Sequence, residues 1–182
     1  MTTQTYIAFL RGINVGGNRL IKMDDLKKTF EKLGFLNVRS VLATGNIIFQ
    51  TSRTDKEKLI SDIQEQLQKD LHHPISVILV TREYMVRLIG KNPFKEINVL
   101  PETRLYVSFR PSEETTSSLS IPYESPEKDF KILSVTDNEV CSVLTLSPER
   151  NSTDVMKILE KEYGKQITTR NWNTLIKIGK FL

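Results

Sequence analysis

Hydrophobic spacing along this chain switches between the period of a strand and the period of a helix. Thr5-Tyr6-Ile7-Ala8-Phe9-Leu10 is β-branched, aromatic and aliphatic and predicts a strand. Met23, Leu26, Phe30 and Leu33 recur at helical spacing and predict a helix that Gly34 closes. Residues 37–43 alternate around Val38 and Val41, and Ile47-Ile48-Phe49 makes the next apolar run. Gly45-Asn46 between them predicts a two-residue hairpin with glycine at its first central position. Thr54, with Glu57 three residues on, reads as a capping box for a helix bearing Leu59, Ile63 and Leu67 on one face. Pro74 stops that helix and residues 75–80 predict a fourth strand. The order β-α-β-β-α-β is that of the ferredoxin-like unit, an antiparallel sheet with both helices on one face.

The order then starts again. A helical segment from Thr81 to about Gly90 and a turn at Asn92-Pro93 form a link. Leu105–Phe109 predicts a strand, and Ser112 with Glu113 and Glu114 predicts a helix start. Phe130–Val135 and Val140–Leu146 pair across Asp137-Asn138, and a helix from about Thr153 to Tyr163 ends at Gly164. Ile167-Thr168-Thr169 predicts a short strand, and Trp172, Leu175 and Ile176 mark a terminal helix. The expected class is α+β: two ferredoxin-like halves with antiparallel sheets, plus a C-terminal helix. The expected division is 1–80, a linking segment 81–101, and 102–182.

Composition narrows the classes without choosing among them. With 182 residues, 38% hydrophobic and 26% charged, the chain suits a globular protein of one full domain or two small ones. A net charge of +4 favours anionic partners only weakly. The single Cys141 excludes an intramolecular disulfide and a Cys-based zinc site. No apolar run approaches the ~20 residues of a membrane helix, and no signal-peptide pattern precedes Arg11, so a cytoplasmic protein is expected.

Arg11-Gly12-Ile13-Asn14-Val15-Gly16-Gly17-Asn18-Arg19 is the stretch that looks built to bind. Glycines allow positive φ and let backbone N–H groups line a concavity that could hold an anion, and an arginine stands at each end. It is neither a Walker A loop, since no Gly-Lys-Ser/Thr follows, nor a Gly-x-Gly-x-x-Gly fingerprint. The plain alternative is a strand-to-helix connection whose glycines only turn the chain. Asn14, between two apolar residues, favours a loop folded inward.

Elsewhere the plain readings win. His72-His73 reads as a helix end rather than a metal pair, and Cys141 as a buried thiol. Asp24-Asp25 suits a helix dipole, and Asn151-Ser152-Thr153 a helix cap. Thr169-Arg170-Asn171-Trp172-Asn173-Thr174 is harder to dismiss. Asn171 as a cap, Trp172 as a core plug and a solvated Arg170 account for much of it, but amides packed beside an arginine suit a polar or phosphorylated ligand.

These motifs are familiar as a set. Leu10-Arg11-Gly12-Ile13-Asn14-Val15-Gly16-Gly17, with Lys22-Met23 and Leu26, resembles the N-terminal signature of the bacterial family catalogued as domain of unknown function 1697. Gly45-Asn46-Ile47-Ile48-Phe49 is similar to that family's Ser-Gly-Asn-Val-Val-Phe element, with Thr44 where serine is commoner. Asn92-Pro93-Phe94 and Thr169–Thr174 are similar to its central and C-terminal motifs. The resemblance implies paired ferredoxin-like halves and no settled activity.

The leading expectation is therefore a small anionic or nucleotide-like ligand bound through Arg11, Asn14, Gly16, Gly17, Arg170, Asn171, Trp172 and Asn173. The geometry of one unit is expected to keep Gly45-Asn46 at the opposite end of the sheet from Gly16-Gly17, so that Arg11 and Arg170 face one cleft. Nucleic-acid binding is the alternative, because ferredoxin-like sheets with stacking aromatics hold RNA. A partner-binding or structural domain without ligand is the third reading. No catalytic residue, cofactor or metal is assigned, and the oligomeric state stays open.

Overall fold

β1 (Gln4–Leu10) is a central strand because its residues are apolar on both faces and both of its edges are paired. In the computed structural model, which describes residues 3–14, 20–111, 119–147 and 152–182 (backbone only at 152–154), it pairs antiparallel with β3 (Asn46–Thr51) and β4 (Val77–Thr81). β2 (Leu36–Ser40) adds to β3, giving the order β2-β3-β1-β4. Tyr6, Ala8, Leu10, Ile47, Phe49, Val77 and Leu79 form one buried core with Leu26 and Phe30 of α1 (Met23–Lys32) and Leu59, Ile63 and Leu67 of α2 (Lys56–Leu71). Phe49 stacks on Phe35 at 4.4 Å between centroids and meets Phe30 at 5.4 Å. Asp70 ties the two helices, accepting from Thr29 Oγ1 at 2.7 Å and Lys32 Nζ at 2.8 Å. Ile7, Phe9, Ile48, Ile78 and Val80 point the other way along these strands and are buried as well.

The second sheet runs β6-β7-β8-β5-β9, again with antiparallel pairs. Its strands are β5 (Thr103–Phe109), β6 (Tyr123–Glu124), β7 (Phe130–Val135), β8 (Glu139–Thr145) and β9 (Thr168–Asn171). Phe130, Ile132, Val140 and Leu144 pack with Val155, Leu159 and Tyr163 of α4 (Ser152–Tyr163). α3 (Arg82–Lys91) and α5 (Trp172–Gly179) complete five helices among the described residues. The chain is thus α+β with two antiparallel sheets. It divides into two compact units, Met1–Arg87 with Ile178–Leu182, and Leu88–Lys177.

Several local expectations shift. The N-cap of α2 is Asp55, whose carboxylate accepts from Lys58 N–H at 3.0 Å, not Thr54. Asp55 stands directly before the first helical residue, where its oxygen reaches the third amide. β2 ends at Ser40, and Leu42–Gly45 form a longer connection closed by Val41 N–H donating to Asn46 O at 2.9 Å. Leu42 and Gly45 carry its positive φ angles, 59° and 73°, while Asn46 already belongs to β3. β6 was not legible, being two residues long in a polar stretch. The helix start expected at Ser112 and the cap expected at Asn151 lie outside the described residues.

Candidate functional site

Gly16 and Gly17, the middle of the glycine-rich stretch, lie outside the described residues; its first four residues are described. Arg11 follows β1 directly, half-exposed, and its N–H donates to Ser76 O at 2.9 Å. Gly12 takes φ 72° in an exposed position. Asn14 takes φ 55° and turns its side chain onto the main chain. Its Nδ2 donates to Ala43 O at 2.8 Å and Ile21 O at 3.1 Å, and its Oδ1 accepts from Ile21 N–H at 2.7 Å. The inward fold expected from its apolar neighbours is therefore present, but the amide is occupied in joining three backbone segments.

One expectation is overturned here. The hairpin lies beside the loop after β1, not at the far end of the sheet. β1 and β3 are antiparallel, with Phe9 opposite Asn46, so the last residues of one strand meet the first of the other. Leu10 N–H donates to Gly45 O at 2.8 Å. A Cβ on Gly45 would stand 2.8 Å from Ile13 Cγ1 and 3.0 Å from Leu10 Cβ. Asn46 is fully buried, its Nδ2 donating to Val41 O at 2.9 Å and Thr44 Oγ1 at 3.0 Å. Thr44-Gly45-Asn46 and Arg11–Asn14 thus form one corner of the first unit.

The second unit arranges its amides differently. β9 pairs with β5 so that Asn171 sits opposite Tyr106, which brings it beside the start of β5. Asn171 then caps α5, its Oδ1 accepting from Asn173 N–H at 2.9 Å. Trp172 is buried and meets Phe94 edge-on at 5.2 Å. Phe94 is placed by the end of α3. Asn92 takes φ 41° there, its N–H shared between Leu88 O and Ile89 O, and its Oδ1 accepts from Phe94 N–H at 3.3 Å.

These residues line a cavity of about 380 Å³ with Arg104, Asn173 and the apolar Val99 and Leu105. Arg104 is fixed by Nη1, which donates to Pro101 O at 2.7 Å and Thr103 O at 2.9 Å. Both Asn92 and Asn171 commit their oxygen to a main-chain N–H. Their NH₂ groups, and Nε and Nη2 of Arg104, have no partner among the described residues. The wall therefore offers donors.

Arg170 does not line this cavity. It pairs with Val107 and, one residue from Asn171, points to the other face of the sheet. Its Nη1 donates to Thr169 O at 2.9 Å, and burial pulls its guanidinium down to about 10, so it stays charged at neutral pH. Arg11 and Arg170 belong to different compact units. Sequence reasoning missed Arg104, which nothing in its neighbourhood marked, whereas Asn92-Pro93-Phe94 did stand out as a motif.

Cys141 is buried, and desolvation pushes its thiol up to about 11, which leaves no thiolate for chemistry at neutral pH. His72 is the left-handed residue that ends α2, with φ 61°, and His73 Nδ1 sits 2.9 Å from Leu71 O. Among the described residues no group of three or more His, Cys, Asp or Glu side chains could hold a metal. No helix among them is long and apolar enough to cross a membrane.

No curated protein matches the chain. Among solved structures, the conserved bacterial protein SP0830 from Streptococcus pneumoniae shares the fold. It is 24% identical, the match covers 100% of this chain and 99% of that one, and the TM-score is 0.72. The family model described as protein of unknown function, DUF1697, matches residues 3–140 of the 182, and the chain belongs to that family.

Proposed function

We propose that the protein is a cytoplasmic binder of a small, acceptor-rich anionic ligand, held in the cavity formed by Asn92, Phe94, Arg104, Asn171, Trp172 and Asn173. The observation that carries this reading is the donor count. Two amides have their oxygens committed and their NH₂ groups left over, beside one guanidinium and two aromatic rings. Such a wall suits phosphate or carboxylate oxygens on a molecule with an apolar or ring portion. The same reading moves the ligand away from Asn14, whose amide is spent on Ile21 and Ala43. An anion resting against Arg11 and Gly12 remains a second reading, favoured by the way Asn14 fixes the base of that loop.

The fold reading that goes with it is a pair of ferredoxin-like halves, close to 1–80 and 102–182 around a link at 81–101. Its support is that β2-β3-β1-β4 and β7-β8-β5-β9 are the same strand order, with β6 added at one edge. RNA recognition on such a sheet needs aromatics on its open face. Phe49, the aromatic that β3 would supply, instead stacks in the helix-side core.

The protein's one tryptophan lies in the cavity wall, which gives a direct readout. Nucleotides, sugar phosphates and acidic cofactors should be screened for a gain in Tm and a change in tryptophan emission. A true ligand should do both, and Arg104→Gln should weaken it at least about tenfold. Ligands that bind equally well to Arg104→Gln and leave the emission unchanged would remove this site from consideration.

A further inference from the structure

A second cavity, also about 380 Å³, lies wholly within the first unit and on the face of its sheet away from α1 and α2. Thr5, Asn37, Arg39, Gln50, Arg82 and Phe181 carry its chemistry. β2 reaches it through an irregularity: its register against β3 shifts between Leu36 and Arg39, and Asn37 takes φ 52° inside the strand. A bulge of this kind re-aims side chains, and a left-handed non-glycine residue in a strand is costly unless its surroundings hold it. Here Asn37 Nδ2 donates to Gln50 Oε1 at 2.6 Å, and Gln50 Nε2 donates to Thr5 Oγ1 at 3.4 Å.

Two guanidinium groups share this cavity, and among the described residues no Asp or Glu side chain pairs with either; the one carboxylate oxygen there is that of the last residue, Leu182, on Arg82. Arg39 lies over the Phe181 ring at 4.8 Å, which holds its plane and leaves the donors at its edge to the cavity. Arg82 spends Nε on Leu182 O at 2.6 Å, and its Nη1 and Nη2 have no partner among the described residues. The Leu182 oxygen meets only Nε of Arg82, so two like charges still face one concave surface through their remaining donors, and an anion between them relieves that repulsion. We propose that this cavity is an anion site for a phosphate monoester, with Arg82 giving a bidentate fork and Arg39 a second cation. A dianion with three acceptor oxygens matches two forks better than a carboxylate does. The site lies apart from the cavity around Trp172 and stands on its own observations.

The test is calorimetric titration of the full chain with inorganic phosphate and ribose 5-phosphate at constant ionic strength, with acetate as the carboxylate control. Both phosphates should bind more tightly than acetate, and Arg39→Gln and Arg82→Gln should each weaken them at least about tenfold. Arg82→Lys, which keeps the charge and loses the fork, should also lose most of the affinity. Phosphate heat that is lost in Arg39→Gln and Arg82→Gln but kept in Arg104→Gln belongs to this site, whereas heat lost only in Arg104→Gln belongs to the other cavity and counts against the proposal. Both arginines are exposed, and a circular-dichroism melt establishes that each variant folds. The proposal is overturned if phosphate fails to bind, if acetate binds as tightly, or if the arginine variants bind phosphate like the wild type. It is also overturned if only a single-stranded RNA oligonucleotide binds, with affinity falling steeply in salt.

Discussion

Asn14 and Asn171 carry the same side chain at the same kind of place, where a strand gives way to a loop or helix. Asn14 uses both ends of its amide on main-chain groups of Ile21 and Ala43. Asn171 uses only its oxygen, on Asn173 N–H, and lines a cavity with the rest. The first corner is knitted shut: Gly45 has no room for a Cβ against Ile13 and Leu10, and Asn46 is fully buried. The second has two such half-used amides and a half-used guanidinium around open space. The difference teaches that a motif rich in glycine and asparagine is not a binding site by composition. What matters is which donors and acceptors remain after the backbone has been served.

Substitutions test that contrast, and the largest effect should come from Gly45→Ala. A left-handed φ of 73° and a Cβ 2.8 Å from Ile13 act together there, against core side chains that cannot retreat. The loss should be about 3 kcal/mol, read as a lower midpoint in denaturant with an unchanged slope. A loss below about 1 kcal/mol would mean that the corner is looser than its contacts indicate.

The paired asparagines should separate next. Asn14→Ala removes three hydrogen bonds to the main chain, two of them part-buried, and should cost about 2 kcal/mol. Asn171→Ala removes one cap and should cost about 1 kcal/mol while abolishing the ligand response of Trp172. Equal stability losses with no change in ligand response would erase the distinction between the two corners.

The smallest effect concerns the tie between α1 and α2. Lys32, then Thr29 and with them Gln66, hold the Asp70 carboxyl below its ordinary 3.8. A depressed carboxyl contributes stability that is present above the unfolded value and lost as pH falls through the folded one. Asp70→Asn should therefore lower Tm slightly at pH 7, and the gap to the wild type should close as the pH drops below about 4. A gap that persists at pH 2 would assign the effect to packing instead of charge.

Much of the architecture was readable locally. The strand of residues 4–10 and the helix carrying Leu59, Ile63 and Leu67 follow from spacing, because burial on one face demands a period that neighbouring residues alone display. Membership of the family was readable too, since its motifs are runs of adjacent residues. The sequence also marked Asn171, Trp172 and Asn173 as unusual for their setting.

What adjacency could not supply was partnership. That Gly45 has no room for a side chain beside Ile13 depends on β1 and β3 being antiparallel with Phe9 opposite Asn46, a fact of long-range pairing. That Arg104 joins Asn171 depends on β5 lying beside β9, and Arg170 is turned away only because strand side chains alternate. Sequence fixes which groups each residue brings; the tertiary structure decides which of those groups are already satisfied and which are left facing open space. Hydrogen-bonding capacity is local to a residue, whereas its satisfaction is a property of whatever the fold places next to it.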